Sequence, residues 1–237
     1  IPAASSRDVA RGSRRVVLSL PDTHVVETVL AEIEADLIDG QIIIDTTTGD
    51  PERVEVNGRR LAERGVAYLD ATVLGSSEQV RRGAAIVMAG GPRETFDACA
   101  DLFGSFARQS FHLGPCGAGS RMKLVVNLVL GLNRAVLAEG LTFARKLGVD
   151  PAIALDVLRA GAAYSRVMDA KGPKMLAADF APQARMRQHL KDVQLILEAA
   201  TKHEARVPLS ELHRALLERL VEEGFGDEDN AAIVRAF

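Results

Sequence analysis

The chain has 237 residues, of which 47% are hydrophobic and 26% charged, and its formal net charge is −3. This balance gives no reason to expect nucleic acid or an anionic membrane as a partner, and no apolar run free of charges reaches the roughly 18 residues of a membrane span. The two cysteines, Cys99 and Cys116, do not resemble a disulfide framework, so a cytoplasmic location is expected. The sequence opens with Ile1 rather than Met, within what reads as a loop and helix, so we expect an upstream extension.

Short apolar runs alternate with helical patterns in the first half of the chain. This alternation predicts βαβ units and a mostly parallel sheet. The predicted strands are RVVLSLP (15–21), QIIIDTTT (41–48), VAYLDATVLG (66–75), AAIVMAGG (84–91) and RQSFHLG (108–114). The helical patterns between them are THVVETVLAEIEADL, PERVEVNGRRLAERG and PRETFDACADLFGSFA.

Only helical patterns follow Gly114. The first, Ser120–Leu147, predicts a helix of roughly 40 Å that is apolar nearly all round and therefore buried in a core or an interface. The later ones are DPAIALDVLRAG, SRVMDAKGPKML, RMRQHLKDVQLILEAATKHEA, PLSELHRALLERLVEEG and NAAIVRAF. The predicted fold is thus α/β followed by all-α, with an α/β domain over residues 1–114 and an all-helical domain over residues 115–237.

Open α/β sheets bind ligands beyond the carboxyl ends of their strands, so the loops after the strands are the candidate binding loops. One of them, GPCGAG, is rich in glycine, but its spacing is G-x-x-G-x-G and it follows the last strand. A dinucleotide fingerprint has the spacing G-x-G-x-x-G after the first strand. We therefore interpret GPCGAG as a tight turn whose glycines let a helix start close to the sheet. No dinucleotide fingerprint occurs elsewhere in the sequence.

Lys123 is a cation near the start of the long apolar helix, with Asn127 one turn later on the same face and Gly131 one turn further on. Two interpretations stay open: a lysine that extends to water from the first turn, and a lysine that faces an anionic or hydroxyl-bearing substrate. For Lys191 and Asp192, the local sequence favours a solvated helix face. The five histidines show no metal-ligand spacing, so no metal is expected.

Six motifs, in order along essentially the whole chain, resemble those of the β-hydroxyacid dehydrogenase family. They are LP (20–21), DTTTGDP (45–51), DATVLGSSEQVRRGAAIVMAGG (70–91), GPCGAGSRMKLVVN (114–127), KD (191–192) and GFGDEDNAAI (224–233). The ordered set is more specific than any one of its members.

The resemblance implies an N-terminally incomplete Rossmann-type domain, a long interdomain helix and reversible hydride transfer between a β-hydroxy acid or semialdehyde and NAD or NADP. It implies that Lys123 is the general acid/base and that Asn127 binds the substrate. It also implies a small-molecule substrate and, with the long apolar helix, a homo-oligomer, either a dimer or a tetramer. The further residues it places at the site are Leu74, Gly75 and Ser76 for the substrate, and Leu20, Pro21, Thr47, Thr48 and Lys191 for the cofactor.

Two departures from the family pattern matter. The opening G-x-G-x-x-G segment, roughly 45 residues by the size of such a unit, has no counterpart, so we expect the sequence as given to bind the cofactor poorly. Leu74 stands where the family has a serine that helps to hold the substrate carboxylate; the backbone N–H groups of Gly75 and Ser76 remain as donors, and a bulkier, more apolar substrate is expected. Two alternatives are an imine reductase on the same scaffold and a non-catalytic dimeric protein that has lost its nucleotide site.

Overall fold

The computed structural model describes residues 2–237. The chain divides into two compact units, with the boundary between Lys123 and Leu124. The first unit contains a sheet of five strands in the order β1-β2-β3-β4-β5. The strands are β1 (Arg15–Leu18), β2 (Ile42–Asp45), β3 (Ala67–Leu74), β4 (Ala85–Gly90) and β5 (Ala107–His112). Its helices before the long one are α1 (Ser6–Gly12), α2 (Thr23–Ile33), α3 (Pro51–Ala62), α4 (Ser77–Arg81), α5 (Arg93–Asp97) and α6 (Ala100–Gly104), with a 3-10 turn at Glu34–Asp36.

The sheet is parallel apart from one pair of strands. β1, β2 and β3 run parallel and in register, and β4 runs parallel to β5, but β3 and β4 are antiparallel. The connection from Leu74 to Ala85 explains this reversal, because a parallel crossover needs about a dozen residues or more and this short connection already contains α4. The prediction of a mostly parallel sheet is confirmed, with this one exception.

The segment PRETFDACADLFGSFA forms two short helices, α5 and α6, so the prediction of one continuous helix was wrong. The helical path breaks at Cys99, which has φ −103° and ψ 6° and is fully buried. The break lets Phe96 and Phe103 pack against one another with ring centroids 5.6 Å apart. Burial of these aromatic rings against the sheet outweighs the loss of a continuous helix.

The second unit is helical throughout, as predicted, apart from an isolated bridge between Arg185 and Asp229. The long helix α7 (Ala118–Lys146) begins in the first unit and continues into the second. It is followed by α8 (Pro151–Ala160), α9 (Arg166–Ala177), α10 (Met186–Lys202), α11 (Pro208–Leu220), a π turn at Val221–Phe225 and a 3-10 helix at Asn230–Ala236. NAAIVRAF thus forms a 3-10 helix rather than an α-helix, the tighter form that short helical segments commonly adopt.

The long helix is buried on one side only, although its composition predicted burial nearly all round. Leu137, Ala138 and Leu141 are fully buried in the core of the second unit. The opposite side carries an apolar stripe, which consists of Val125, Val129, Leu132, Val136, Phe143 and, directly after the last helical residue, Leu147. Successive members are three or four residues apart, except for Val136 and Phe143, which are seven residues apart. Val136 in this stripe is 67% exposed.

By length and composition, α7 would also be long and apolar enough to cross a membrane. Core helices of proteins that lie outside membranes satisfy the same two criteria, so this observation has little weight. Within the helix, Arg134 and Glu139 interrupt the apolar sequence, and charged residues near the middle of a membrane span are costly.

Candidate active site

The loops after β1, β2 and β3 lie at one edge of the sheet, because these three strands are parallel and in register. Seven of the residues predicted for the site follow these strands: Leu20 and Pro21 after β1, Thr47 and Thr48 after β2, and Leu74, Gly75 and Ser76 at the end of β3. The first unit therefore brings together the residues expected to contact the nicotinamide end of a cofactor and those expected to contact a substrate.

Thr47 fixes the first two loops relative to each other. The backbone N–H of Leu20 donates to Thr47 Oγ1 at 3.1 Å, and the backbone N–H of Thr47 donates to Asp45 Oδ1 at 2.9 Å. Leu20 is half-buried and Pro21 is exposed. An apolar surface with a hydroxyl beside it fits the ring faces and ribose hydroxyls of a nicotinamide nucleotide, since such sites combine apolar walls with a few fixed polar groups.

Lys123 extends from the second turn of α7 to the end of β3. Its Nζ donates to the carbonyl oxygen of Val73 at 2.6 Å, and the side chain is half-buried. This bond places the ammonium group beside Leu74 rather than in open solvent. The contact argues against a lysine that simply extends to water, and the interpretation that Lys123 faces a substrate stays a prediction.

Ser76 caps α4 with both of its polar groups. Its Oγ accepts the N–H of Gln79 at 3.3 Å, and its own N–H donates to Gln79 Oε1 at 2.8 Å, a reciprocal capping box. The Ser76 N–H is thus already paired, whereas it was expected to remain a donor for the substrate. Gly75, with φ +155°, precedes this cap, and Leu74 is half-buried.

The glycine-rich turn before α7 encloses a carboxylate of the chain itself. Asp70 on β3 accepts the N–H groups of Gly117 at 2.9 Å and Ser120 at 2.7 Å. A methyl group at Gly119 would lie at most 2.5 Å from the carbonyl oxygens of Asp70 and Met88. The turn therefore packs directly against β3 and β4, and two of the N–H groups that a pyrophosphate would need bind Asp70. The interpretation of GPCGAG as a close-packing turn is confirmed.

Two buried carboxylates lie beneath this edge of the sheet. Burial raises the pKa of Asp70 to about 6, although the two N–H donors from the turn oppose that shift. Burial also raises the pKa of Asp45, which accepts the hydroxyl of Tyr68 at 2.6 Å. Cys116, packed against Gly58, has a thiol whose pKa burial raises to about 12. That thiol is protonated and unreactive at neutral pH.

In the second unit, Asn127 on α7 is hydrogen-bonded to Asp192 on α10. The Asn127 amide nitrogen donates to Asp192 Oδ2 at 3.0 Å, and Lys191 Nζ lies 3.7 Å from Asp192 Oδ1. The side chains of Lys191 and Asp192 are 27% and 14% exposed. The prediction of a solvated helix face was wrong for Asp192, because α10 turns this residue toward α7.

Three buried polar side chains of the second unit, Arg134 on α7, His189 on α10 and His213 on α11, were not predicted. Arg134, His189 and His213 are each less than a tenth exposed, and the imidazole centroids lie 5.1 Å apart. Burial, and secondarily the charge of Arg134, lowers the pKa of His213 to about 4 and holds that of His189 well below its usual value. Both rings are neutral at pH 7. Gly131, four residues after Asn127, was the available signal, because a helix glycine in an apolar segment indicates close packing.

Asp229 explains the GDEDNAAI motif as a structural element. Its buried carboxylate accepts Lys171 Nζ at 2.7 Å and the N–H groups of Gln183, Ala184 and Ala231. Asp229 is also the N-cap of the 3-10 helix at Asn230–Ala236, and Gly224, with φ +96°, interrupts the helical path within the turn at Val221–Phe225. Within residues 2–237, no group of three or more His, Cys, Asp or Glu side chains is placed to hold a metal ion.

Two family models match the chain in succession. Residues 1–114 match the NAD binding domain of 6-phosphogluconate dehydrogenase. Residues 117–237 match the model described as NAD-binding of NADP-dependent 3-hydroxyisobutyrate dehydrogenase. The two matches leave out only residues 115 and 116, within the glycine-rich turn.

Individual proteins resemble this chain over nearly its whole length. An L-threonate dehydrogenase of Cupriavidus necator is 29% identical over 241 residues, which cover 100% of this chain and 81% of that protein. The structure of a 3-hydroxyisobutyrate dehydrogenase from Salmonella typhimurium superposes with a TM-score of 0.91 at 22% identity, covering 99% of this chain and 83% of the other. An imine reductase from Pseudomonas sp. superposes with a TM-score of 0.62 at 19% identity, covering 99% and 83%. At these identities the two structures establish a shared fold.

Proposed function

The chain belongs to the β-hydroxyacid dehydrogenase family of NAD(P)-dependent oxidoreductases, and from this premise we propose that Lys123 is the general acid/base of its hydride transfer. The substrate class is a β-hydroxy acid or the corresponding semialdehyde. The observation that carries the assignment of Lys123 is its position: a half-buried ammonium group bonded to Val73, at the edge of the sheet where ligands of open α/β folds bind.

The roles of the residues follow from the charges that the reaction creates. When bound, the reduced nicotinamide supplies the hydride to the carbonyl carbon of the semialdehyde. The carbonyl oxygen then gains negative charge, and the Lys123 ammonium stabilises that charge and donates a proton to the oxygen. In the oxidising direction, the neutral amine of Lys123 removes the hydroxyl proton. Asn127, four residues later on the same helix, binds the substrate, and Lys191 contacts the cofactor.

Leu74 and Ser76 bear on the choice of substrate. Leu74 supplies no hydroxyl to a carboxylate, and the Ser76 N–H is already paired with Gln79. Binding of a carboxylate here therefore depends on Gly75 and on cations rather than on side-chain hydroxyls. We propose a substrate with a larger apolar part than the shortest hydroxy acids, because a half-buried leucine favours apolar contact over a charged group.

The experiment that tests this function measures oxidation and reduction of both NAD and NADP by the full-length protein. The panel contains L-threonate, longer β-hydroxy acids, their semialdehydes and cyclic imines. Turnover of hydroxy acids or semialdehydes supports the proposal. Turnover of imines alone supports the imine reductase alternative, which the likeness of fold to such an enzyme favours. If the protein neither turns over a substrate nor binds a cofactor, the result supports the alternative of a non-catalytic protein.

We also propose that the protein is a homo-oligomer assembled through the apolar stripe on α7. Five of its six residues, all but Leu132, are at least half exposed, and contiguous apolar surface of this kind marks interaction sites. We expect Val136→Glu to give the mass of a single chain in sedimentation equilibrium, because a charge in the interface is desolvated without a partner. Val56→Glu, at an exposed valine on α3, is the matched control and leaves the mass unchanged. A monomeric wild-type protein would contradict this proposal.

A further inference from the structure

The hydrogen bond that Asn127 makes distinguishes the nitrogen of its side-chain amide from the oxygen. Its nitrogen donates to Asp192 Oδ2 at 3.0 Å, and Asn127 itself is buried. An ionised carboxylate only accepts hydrogen bonds, so it selects the amide rotamer in which the NH2 group faces α10. Without Asp192, the nitrogen and the oxygen of this amide would be interchangeable in shape, and either rotamer would fit.

The packing of α7 on α10 fixes the distance between Asn127 and Asp192. Gly131 lies one turn after Asn127, and a methyl group there would be 2.6 Å from Nε2 of His189. His189 lies one turn before Asp192 on α10. The Gly131–His189 contact and the Asn127–Asp192 hydrogen bond are therefore successive contacts between the same two helices, and both lie within the second unit. Close packing at the first contact holds the helices at the separation that the second requires.

Two cations of the second unit interact with Asp192. Lys191 Nζ lies 3.7 Å from the carboxylate. The buried guanidinium of Arg134 interacts electrostatically with Asp192 and Asp229. These cations compensate a carboxylate whose side chain is only 14% exposed, and a buried charge needs such compensation.

We propose that Asp192 is a positioning residue that orients the Asn127 amide, so that the carbonyl oxygen of Asn127 is presented to the substrate as a hydrogen-bond acceptor. This inference rests on the proposed function, in which Asn127 binds the substrate. An acceptor needs a donor opposite it, and a carboxylate has none. The group that Asn127 Oδ1 recognises is therefore a hydroxyl of the hydroxy acid rather than its carboxylate.

The test is a double-mutant cycle on the full-length protein, with Asp192→Ala, Asn127→Ala and both together. We expect Asp192→Ala to raise the substrate KM at least tenfold while the cofactor Kd changes less than twofold. In the Asn127→Ala background, Asp192→Ala has no further effect, because the residue acts through the amide. Asp192→Asn keeps an acceptor oxygen and restores most of the affinity. Asp227→Ala, at an exposed aspartate paired with Arg187 in the same unit, is the control.

A second readout does not depend on turnover. In ¹⁵N-labelled protein, the side-chain NH2 signals that disappear in Asn127→Ala belong to Asn127, and we expect them to shift in Asp192→Ala and to return toward their original positions in Asp192→Asn. Two results would overturn the positioning role. One is that the NH2 signals stay unchanged in Asp192→Ala; the other is that the factors by which the two alanine substitutions raise the substrate KM simply multiply in the double mutant. If the wild type turns over no substrate while the NH2 signals respond, then the proposed function fails and the orientation of the amide stands.

Discussion

Replacing Lys123 with alanine is expected to lower kcat/KM at least about 100-fold, since a positioned general acid/base typically contributes a factor of 10² to 10⁴. The substitution removes the only proton donor that we assign at the reacting oxygen. It also removes the hydrogen bond from Nζ to the Val73 carbonyl, which costs about 1–2 kcal/mol of stability. Initial rates of cofactor oxidation, with the best substrate of the panel, measure the effect.

Lys146→Ala is the matched control for Lys123→Ala. It removes an exposed lysine from the last turn of the same helix, far along the sequence from the site, so its kcat/KM stays within twofold of the wild type. Circular dichroism and thermal unfolding establish that both variants are folded. A Lys123→Ala protein that keeps more than a few per cent of wild-type activity would remove Lys123 from the assigned role.

The order of strands and helices could be predicted from the sequence, because the spacing of hydrophobic residues along a segment reflects which of its faces are buried. QIIIDTTT and VAYLDATVLG are β-branched and apolar runs that become β2 and β3, as buried parallel strands require. The continuity of α7 likewise follows from a long stretch without proline. The direction of β4 was not predicted, because it depends on the length available between β3 and β4 rather than on any local pattern.

Only part of the candidate site could be predicted from the sequence. Lys123 and Asn127 were identified because a cation and an amide at helical spacing are conspicuous in an apolar segment. Asp192 was read as solvated, since nothing in HLKDVQ indicates that α10 packs on α7 at that residue. The pairing of His189 with His213 is also a tertiary contact between two helices. A contact between side chains of two distant segments cannot be predicted from the hydrophobic spacing of either segment alone.

The three glycines of α7 provide the sharpest test of the close packing, and Gly119→Ala is expected to be the most damaging substitution among them. Its methyl group would lie at most 2.5 Å from two carbonyl oxygens, of Asp70 and Met88. Backbone atoms of a sheet do not move aside as a flexible side chain does, so we expect a loss of at least about 3 kcal/mol, at the upper end of overpacking costs. Urea unfolding followed by circular dichroism measures it.

Gly140→Ala is the control on the same helix. No atom lies within 4 Å of a methyl group there, so alanine should raise the stability by about 0.5–1 kcal/mol through its higher helix propensity. Gly131→Ala should fall between the two, because its methyl group meets the imidazoles of His189 and His213, which are side chains and can shift. Equal stabilities of the Gly119→Ala and Gly140→Ala proteins would show that the start of α7 does not pack on β3 and β4 as described. The turn N–H groups bound to Asp70 would then be available to a ligand, and the phosphate-binding interpretation of GPCGAG would have to be reopened.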